Sequence, residues 1–87
     1  MAAKFISLGS GSAVAADRII SILSPDSAPA KRLIQEARTG GLLIDATYGK
    51  KTRSIFVMDS DHIVISALSA ETAITRSGEN DDDTSEG

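Results

Sequence analysis

The sequence predicts a single α+β domain, a small antiparallel β-sheet domain with one main helix and a short C-terminal helix. Three observations predict it: short β-branched runs bounded by turn residues, one helical stripe of apolar residues between them, and a chain of only 87 residues. The chain has no Cys and one His, so neither disulfides nor the usual zinc ligands can support so small a fold. Very regular packing or self-association is therefore expected.

The first third of the chain is predicted to form strands. Residues 5–8 are a short apolar run, and the glycines within residues 9–12 mark a turn after it. Residues 13–16 are ambiguous between strand and loop. Residues 18–23 are rich in β-branched side chains and end before Ser24-Pro25, so they are predicted to form a strand.

The clearest helical pattern follows. Ser27 or Ala28 can cap the helix, and Pro29 lies in its first turn, where a missing N–H costs nothing. Apolar residues recur at helical spacing along one side of it, at Ala30, Leu33, Ile34 and Ala37. Gly40-Gly41 is expected to end the helix, because glycine accepts the left-handed conformation common at this point.

The remaining elements are short. Residues 42–44 start another strand, and residues 48–53 (YGKKTR), which we call the basic loop, follow it. Residues 54–58 and 62–67 are two strands whose polar link of three residues predicts a hairpin. Residues 69–76 are predicted to form one or two helical turns.

The charge distribution predicts a boundary at residue 76, between a folded domain (1–76) and a disordered acidic tail (77–87). The tail holds five of the twelve acidic residues, no basic residue and no large apolar one. Residues 1–76 therefore carry nine basic and seven acidic residues, a net charge of +2. From Lys31 to Arg53 there are six basic residues and two acidic ones, so positive charge is concentrated in the middle third.

Patterns of catalysis, cofactor binding and membrane insertion do not occur in the sequence. The pair Gly9-x-Gly11 lacks the third glycine of a dinucleotide-binding loop. His62 has no Cys or second His near it, and Asp59 and Asp61 fit a solvated turn better than a metal site. No apolar run approaches the roughly 18 residues of a membrane span, and the first residues do not resemble a signal peptide. We expect a cytoplasmic protein that is not an enzyme and that uses no metal, cofactor or small-molecule substrate.

The basic loop is the strongest candidate binding element. Its cations Lys50, Lys51 and Arg53 repel one another unless an anion or an acidic group lies nearby. A turn projects them toward solvent, where they can reach phosphates. A solvated surface loop explains the same pattern, since short basic runs are common.

Other basic residues and the aromatic content bear on the partner. Lys31, Arg32 and Arg38 fit either a solvated helix face or an additional phosphate-contacting patch. Arg18 beside Asp17 is typical of a surface ion pair of little energy. The chain has only three aromatic residues, whereas single-stranded nucleic-acid binders usually stack bases on several. The sequence therefore favours a duplex partner over single-stranded RNA.

Several blocks of the sequence resemble the RemA family of extracellular-matrix regulators over residues 3–76. The first block is RIISI (18–22), followed by SPDSAP (24–29) and the basic residues Lys31 and Arg32. The second is DATYG (45–49), followed by two basic residues and then by Thr52 and Arg53. The third is MDSDH (58–62), followed by ISA (65–67) and Glu71-Thr72. The resemblance implies a DNA-binding transcriptional regulator of biofilm matrix genes in Gram-positive bacteria, with a fold similar to LytTR-type DNA-binding domains. It also implies that subunits assemble into a ring-like homo-oligomer, with DNA following the outside of the ring.

The resemblance implies roles for individual residues. Those that would contact DNA are Arg18, Lys50, Lys51 and Arg53. Pro29, which sets the helix start, and Gly49 would be structural. The family usually has two arginines where this chain has two lysines; lysine keeps the charge but lacks the planar fork that binds guanine bidentately. Phosphate contact is therefore expected to be kept.

Two functions from different classes follow from these observations. The leading one is an oligomeric double-stranded DNA-binding regulator. The alternative is a structural or protein-interaction module, whose basic oligomer surface binds an acidic protein partner.

Overall fold

A computed structural model describes the chain over residues 4–9 and 11–86, and describes side chains as far as residue 78. Over these residues the elements are β1 (Phe5–Gly9), β2 (Ser12–Ala15), a 3-10 turn (Ala16–Arg18), β3 (Ile19–Leu23), α1 (Ala28–Gly40), β4 (Leu43–Ala46), β5 (Ser54–Met58), β6 (Ile63–Ser66) and α2 (Ala70–Glu86). The α+β class is confirmed. The segment that the sequence left open between strand and loop forms β2, which pairs with β1.

The strands form two sheets. β1 and β2 are an antiparallel hairpin, and the other four strands form a sheet in the order β3-β5-β6-β4. The predicted β5–β6 hairpin is confirmed. The predicted antiparallel sheet is confirmed only in part, because β3, β5 and β6 pair antiparallel whereas β4 pairs with β6 in parallel. The reason is the path of the chain. Helix α1 carries the chain from one edge of the sheet to the other, so β4 runs in the same direction as β3. The β5–β6 hairpin then lies between these two strands.

The four-stranded sheet is covered on both faces. Ile55 and Phe56 are adjacent in β5 and both fully buried, so they point to opposite faces. Ile55 packs in a cluster with the predicted apolar stripe of α1. Phe56 packs in a second cluster with Ile6, Leu8 and Val14 of the β1–β2 hairpin. The domain therefore has three layers, with the larger sheet in the middle.

The ends of α1 lie where the sequence predicts them. The Ser27 side chain accepts a hydrogen bond from the backbone N–H of Ala30 at 3.3 Å, and Pro29 lies in the first turn. Gly41 ends the helix with φ of 76°, a left-handed conformation that glycine adopts without steric cost.

Helix α2 is longer than the sequence predicts. It spans 17 residues, from Ala70 to Glu86, rather than one or two turns ending at Arg76. Its first turns are anchored, because Ala73 is fully buried and Arg76 Nη1 donates to the backbone oxygen of Ser7 at 2.8 Å. Once a helix is nucleated, each further residue adds one hydrogen bond, so the backbone can continue into the acidic segment. The division of the chain into a domain (1–76) and a disordered tail (77–87) stays a prediction. Neither helix is long and apolar enough, over the residues described, to cross a membrane.

The docking of the β1–β2 hairpin can be tested with two neighbouring residues. Ile6 is 1% exposed and Phe5 is 60% exposed. We expect Ile6→Ala to lower the free energy of unfolding by about 2–4 kcal/mol, since it leaves a cavity in the core. Phe5→Ala is expected to change it by less than about 0.5 kcal/mol. Urea unfolding followed by circular dichroism at fixed protein concentration measures both, and equal losses would contradict the layer arrangement.

Candidate nucleic-acid interface

The strand directions place the candidate residues at two opposite ends of the four-stranded sheet. β3, β4 and β6 run in one direction and β5 in the other. The segments that follow β3, β4 and β6 therefore lie at one end, together with the start of β5. This end, which we call the loop end, carries the basic loop. Arg18 and the β5–β6 turn lie at the opposite end.

The basic loop is held by short-range hydrogen bonds at its start. One Asp45 carboxylate oxygen accepts from the backbone N–H of Thr47 at 2.9 Å and from its hydroxyl at 2.6 Å. The Lys50 N–H donates to the Thr47 oxygen at 3.1 Å. Between them, Tyr48 and Gly49 have φ of 54° and 82°, the signs expected of a type I′ turn. A non-glycine residue such as Tyr48 rarely adopts this conformation, so the surrounding bonds must hold it there.

Two longer-range contacts fix the loop to both sheets. The Tyr48 and Ser12 hydroxyl oxygens lie 2.7 Å apart, which ties the loop to the β1–β2 hairpin. At the other end of the loop, the Arg53 N–H donates to the Ser66 oxygen at 2.8 Å. The roles of Asp45, Thr47 and Tyr48 were not predicted from the sequence. The Asp-x-Thr spacing before a glycine is the signal that could have shown the first two.

The cations of the loop are exposed and have room around them. Within the described side chains, no ion pair involves Lys50, Lys51 or Arg53. A cleft of about 460 Å³ beside them is lined by Ser24, Pro25, Asp26, Lys51, Thr52, Arg53, Ser69, Ala70 and Glu71. It contains two acidic residues, which partly offset the charge of Lys51 and Arg53. Lys50 is exposed and does not line the cleft.

The first turns of α1 begin at the same loop end. Lys31 and Arg32 are exposed there, four and five residues after the capping residue Ser27, or about 6–8 Å along the helix. Arg38 is also exposed, but it lies in the last turn, toward the opposite end of the sheet. The structure therefore places Lys31 and Arg32 nearer the basic loop than Arg38, whose charge acts on the start of the loop only weakly, through Asp45.

Arg18 is the candidate that the structure separates from the others. It lies in the 3-10 turn before β3, six strand positions from Arg53 measured along β5, which is about 20 Å. The prediction that Arg18 forms an ion pair with the neighbouring Asp17 is wrong. Arg18 Nε instead donates to both carboxylate oxygens of Asp59, at 2.8 and 3.0 Å. The sequence could not show this pair, because β3–β5 pairing brings together residues that are 41 positions apart.

The other polar residues of the β5–β6 turn interact locally. The Ser60 hydroxyl lies 2.8 Å from His62 Nδ1, and Asp61 has φ of 73°. Within the part of the chain that the structure describes, no three His, Cys, Asp or Glu side chains converge as metal ligands would. Asp59 and Asp61 lie in the turn between β5 and β6, and His62 directly precedes β6.

Comparison with known proteins identifies relatives along the whole domain. A family model described as RemA-like, "Extracellular matrix regulatory protein A-like", matches residues 5–76. Extracellular matrix regulatory protein A of Bacillus subtilis is 57% identical over 76 residues, which cover 87% of this chain and 85% of that protein. A protein of Carboxydothermus hydrogenoformans, whose name describes it only as regulatory, is 58% identical over 76 residues, covering 87% of each chain. A Geobacillus kaustophilus protein with the same kind of name is 52% identical over the full length of both chains.

The hydrogen bonds at the start of the loop predict the titration of Asp45. The pKa of Asp45 lies below its ordinary value of 3.8. The largest cause is the hydrogen bond from the Thr47 hydroxyl, followed by the one from the Thr47 N–H. Burial opposes this effect, and the charge of Arg38 lowers the pKa more weakly. We expect Thr47→Val to raise this pKa toward 3.8 and Thr47→Ser to leave it low. Because the folded state has the lower pKa, the stabilisation by Asp45 is complete above pH 3.8 and is lost as the pH falls through the folded pKa. Carboxyl NMR titration measures the pKa, and identical values in the two variants would contradict the assignment.

Proposed function

This chain belongs to the RemA-like family of extracellular matrix regulatory protein A-like proteins, and we propose that it is an oligomeric transcriptional regulator, not an enzyme, that binds double-stranded DNA. The observation that carries the proposal is the basic loop, whose three exposed cations lie at or directly after a preformed turn and have no ion-pair partner among the described residues. The name of the Bacillus subtilis relative supports genes of the extracellular matrix as the regulated process.

The chemistry of the loop favours phosphate contact. Lysine ammonium groups act as compact point charges, which suit phosphate oxygens and do not require the fixed geometry of a base edge. The Asp45–Thr47 bonds and the turn order the loop before DNA arrives. Less conformational entropy is then lost on binding, which raises the affinity. Lys31 and Arg32 at the same end are proposed as additional contacts, and Arg18 as a contact at the opposite end.

Self-association follows from the weakness of a single subunit. Three cations on one loop neutralise few phosphates, whereas the same contacts repeated on linked subunits act at high effective concentration. The separation of about 20 Å between Arg18 and Arg53 supports the same conclusion, since a continuous strip of contacts then needs subunits side by side. A ring is the arrangement that the family resemblance implies, and the likeness to LytTR-type domains is likewise a prediction. Bending of DNA along such a surface would give sequence preference through deformability.

The first test is fluorescence anisotropy of a labelled AT-rich duplex, titrated with the protein over a series of salt concentrations. Each neutralised phosphate contributes about 0.9 to the slope of log K against log salt, so one basic loop alone gives a slope no steeper than about −3. We expect a slope of about −5 or steeper, because several subunits bind together. No binding at low salt would overturn the proposal. Binding of an acidic polypeptide in its place would favour the alternative, a protein-interaction module.

The second test compares the lysines of the basic loop with Arg38 in the last turn of α1. We expect the double variant Lys50→Ala, Lys51→Ala to bind the duplex at least tenfold more weakly and with a shallower salt slope. Arg38→Ala removes a charge of the same sign from the exposed far end of α1 and is expected to stay within about twofold of the wild type. If Arg38→Ala lowered log K by half as much as the double variant, one charge against two, total charge and not the loop would determine the affinity.

A further inference from the structure

Arg18 uses only one of its three side-chain nitrogens in its contact with Asp59. The single N–H of Arg18 Nε is shared between the two carboxylate oxygens of Asp59. A guanidinium group carries five N–H donors, and none of the hydrogen bonds among the described residues uses Arg18 Nη1 or Nη2. The Arg18 side chain is 61% exposed and that of Asp59 46%. The pair therefore restrains the guanidinium and leaves four donors for another partner.

The carboxylate that restrains Arg18 is itself fixed by the backbone. The Asp59 N–H donates to the backbone oxygen of Arg18 at 2.9 Å, directly beside the Ile19–Met58 strand pair. The turn that carries Asp59 is closed by bonds from the Met58 N–H to His62 at 3.0 Å and from the Asp61 N–H to Met58 at 3.1 Å. Asp59 thus lies on a rigid hairpin at a defined distance from Arg18.

An exposed ion pair contributes little to the stability of a fold, so stability does not explain this arrangement. We propose that Asp59 is a positioning residue: it holds the Arg18 guanidinium through Nε so that Nη1 and Nη2 meet a phosphate of duplex DNA. This inference rests on the proposed function, in which Arg18 contacts DNA. An ordered arginine loses less rotamer freedom on binding than a free one, and the planar group arrives with its donors already aligned.

The proposal predicts an effect opposite to that of simple electrostatics. If the Asp59 charge only repelled DNA or competed with phosphate for Arg18, its removal would strengthen binding. If Asp59 positions Arg18, its removal weakens binding although the protein becomes less acidic. The sign of the change therefore distinguishes the two roles.

The matched variants are Asp59→Asn and Asp61→Asn. Both make the same chemical change in the same turn, and asparagine tolerates the left-handed φ of 73° at position 61. In the duplex titration we expect Asp59→Asn to bind about three- to tenfold more weakly than the wild type, and Asp61→Asn to bind equally or more tightly. In an Arg18→Ala background, Asp59→Asn is expected to cause no further loss of affinity, because only its charge effect then remains. Unchanged urea midpoints for both variants show that the fold is retained.

A readout independent of DNA is the NMR signal of the Arg18 Nε–H group, which a restrained bond to a carboxylate protects from exchange with water. We expect the signal in the wild type and in Asp61→Asn, and its loss in Asp59→Asn. If the wild type binds the duplex and Asp59→Asn binds it as tightly as Asp61→Asn does, the positioning role is overturned and the proposed function stands. If the wild type does not bind the duplex, both fall together.

Discussion

The central strand β5 has to bury large side chains on both of its faces, and the rest of the structure depends on this requirement. Ile55 and Phe56 have no exposed surface, and adjacent residues of a strand point in opposite directions. One layer cannot cover both. Helix α1 therefore covers the Ile55 face, and the β1–β2 hairpin with the start of α2 covers the Phe56 face. The sheet that results has two ends, and the direction of each strand decides which loop lies at which end.

The basic loop benefits from this arrangement because it is tied to both layers. Its contacts to Ser12 in the hairpin and to Ser66 in β6 join it to the core, and the Asp45–Thr47 bonds form its first turn. A loop of like charges would otherwise expand through repulsion. Here the backbone bonds hold the loop, and the carboxylates of Asp26 and Glu71 line the same cleft as Lys51 and Arg53. Phosphate binding to such a loop needs little reorganisation.

The opposite end of the sheet shows a different way of ordering a cation. Arg18 is restrained by a carboxylate from another strand, and not by the turn in which it lies. Two basic sites about 20 Å apart on one small subunit suit a surface built from repeated copies, since each copy adds both sites to the strip. This is the physical link between the small size of the chain, the proposed self-association and the proposed DNA partner.

The sequence by itself determined the features that depend on neighbouring residues. The Ser27 cap, the left-handed Gly41, the apolar stripe of α1 and the β5–β6 hairpin each follow from signals within a few positions. The position of the basic loop after a strand and the exposure of the loop also follow from such local signals. The Asp-x-Thr turn at the start of that loop is equally local, so the spacing of Asp45 and Thr47 is enough to predict it.

Only the tertiary structure decided what depends on segments far apart in the chain. The parallel pairing of β4 with β6, the partner of Arg18 and the extension of α2 past Arg76 all required knowledge of which strands lie side by side and what anchors the helix. Asp17 and Asp59 are equivalent partners for Arg18 as far as charge is concerned. The pairing of β3 with β5 selects Asp59, because backbone hydrogen bonds place that carboxylate beside Arg18, and no local pattern encodes that pairing.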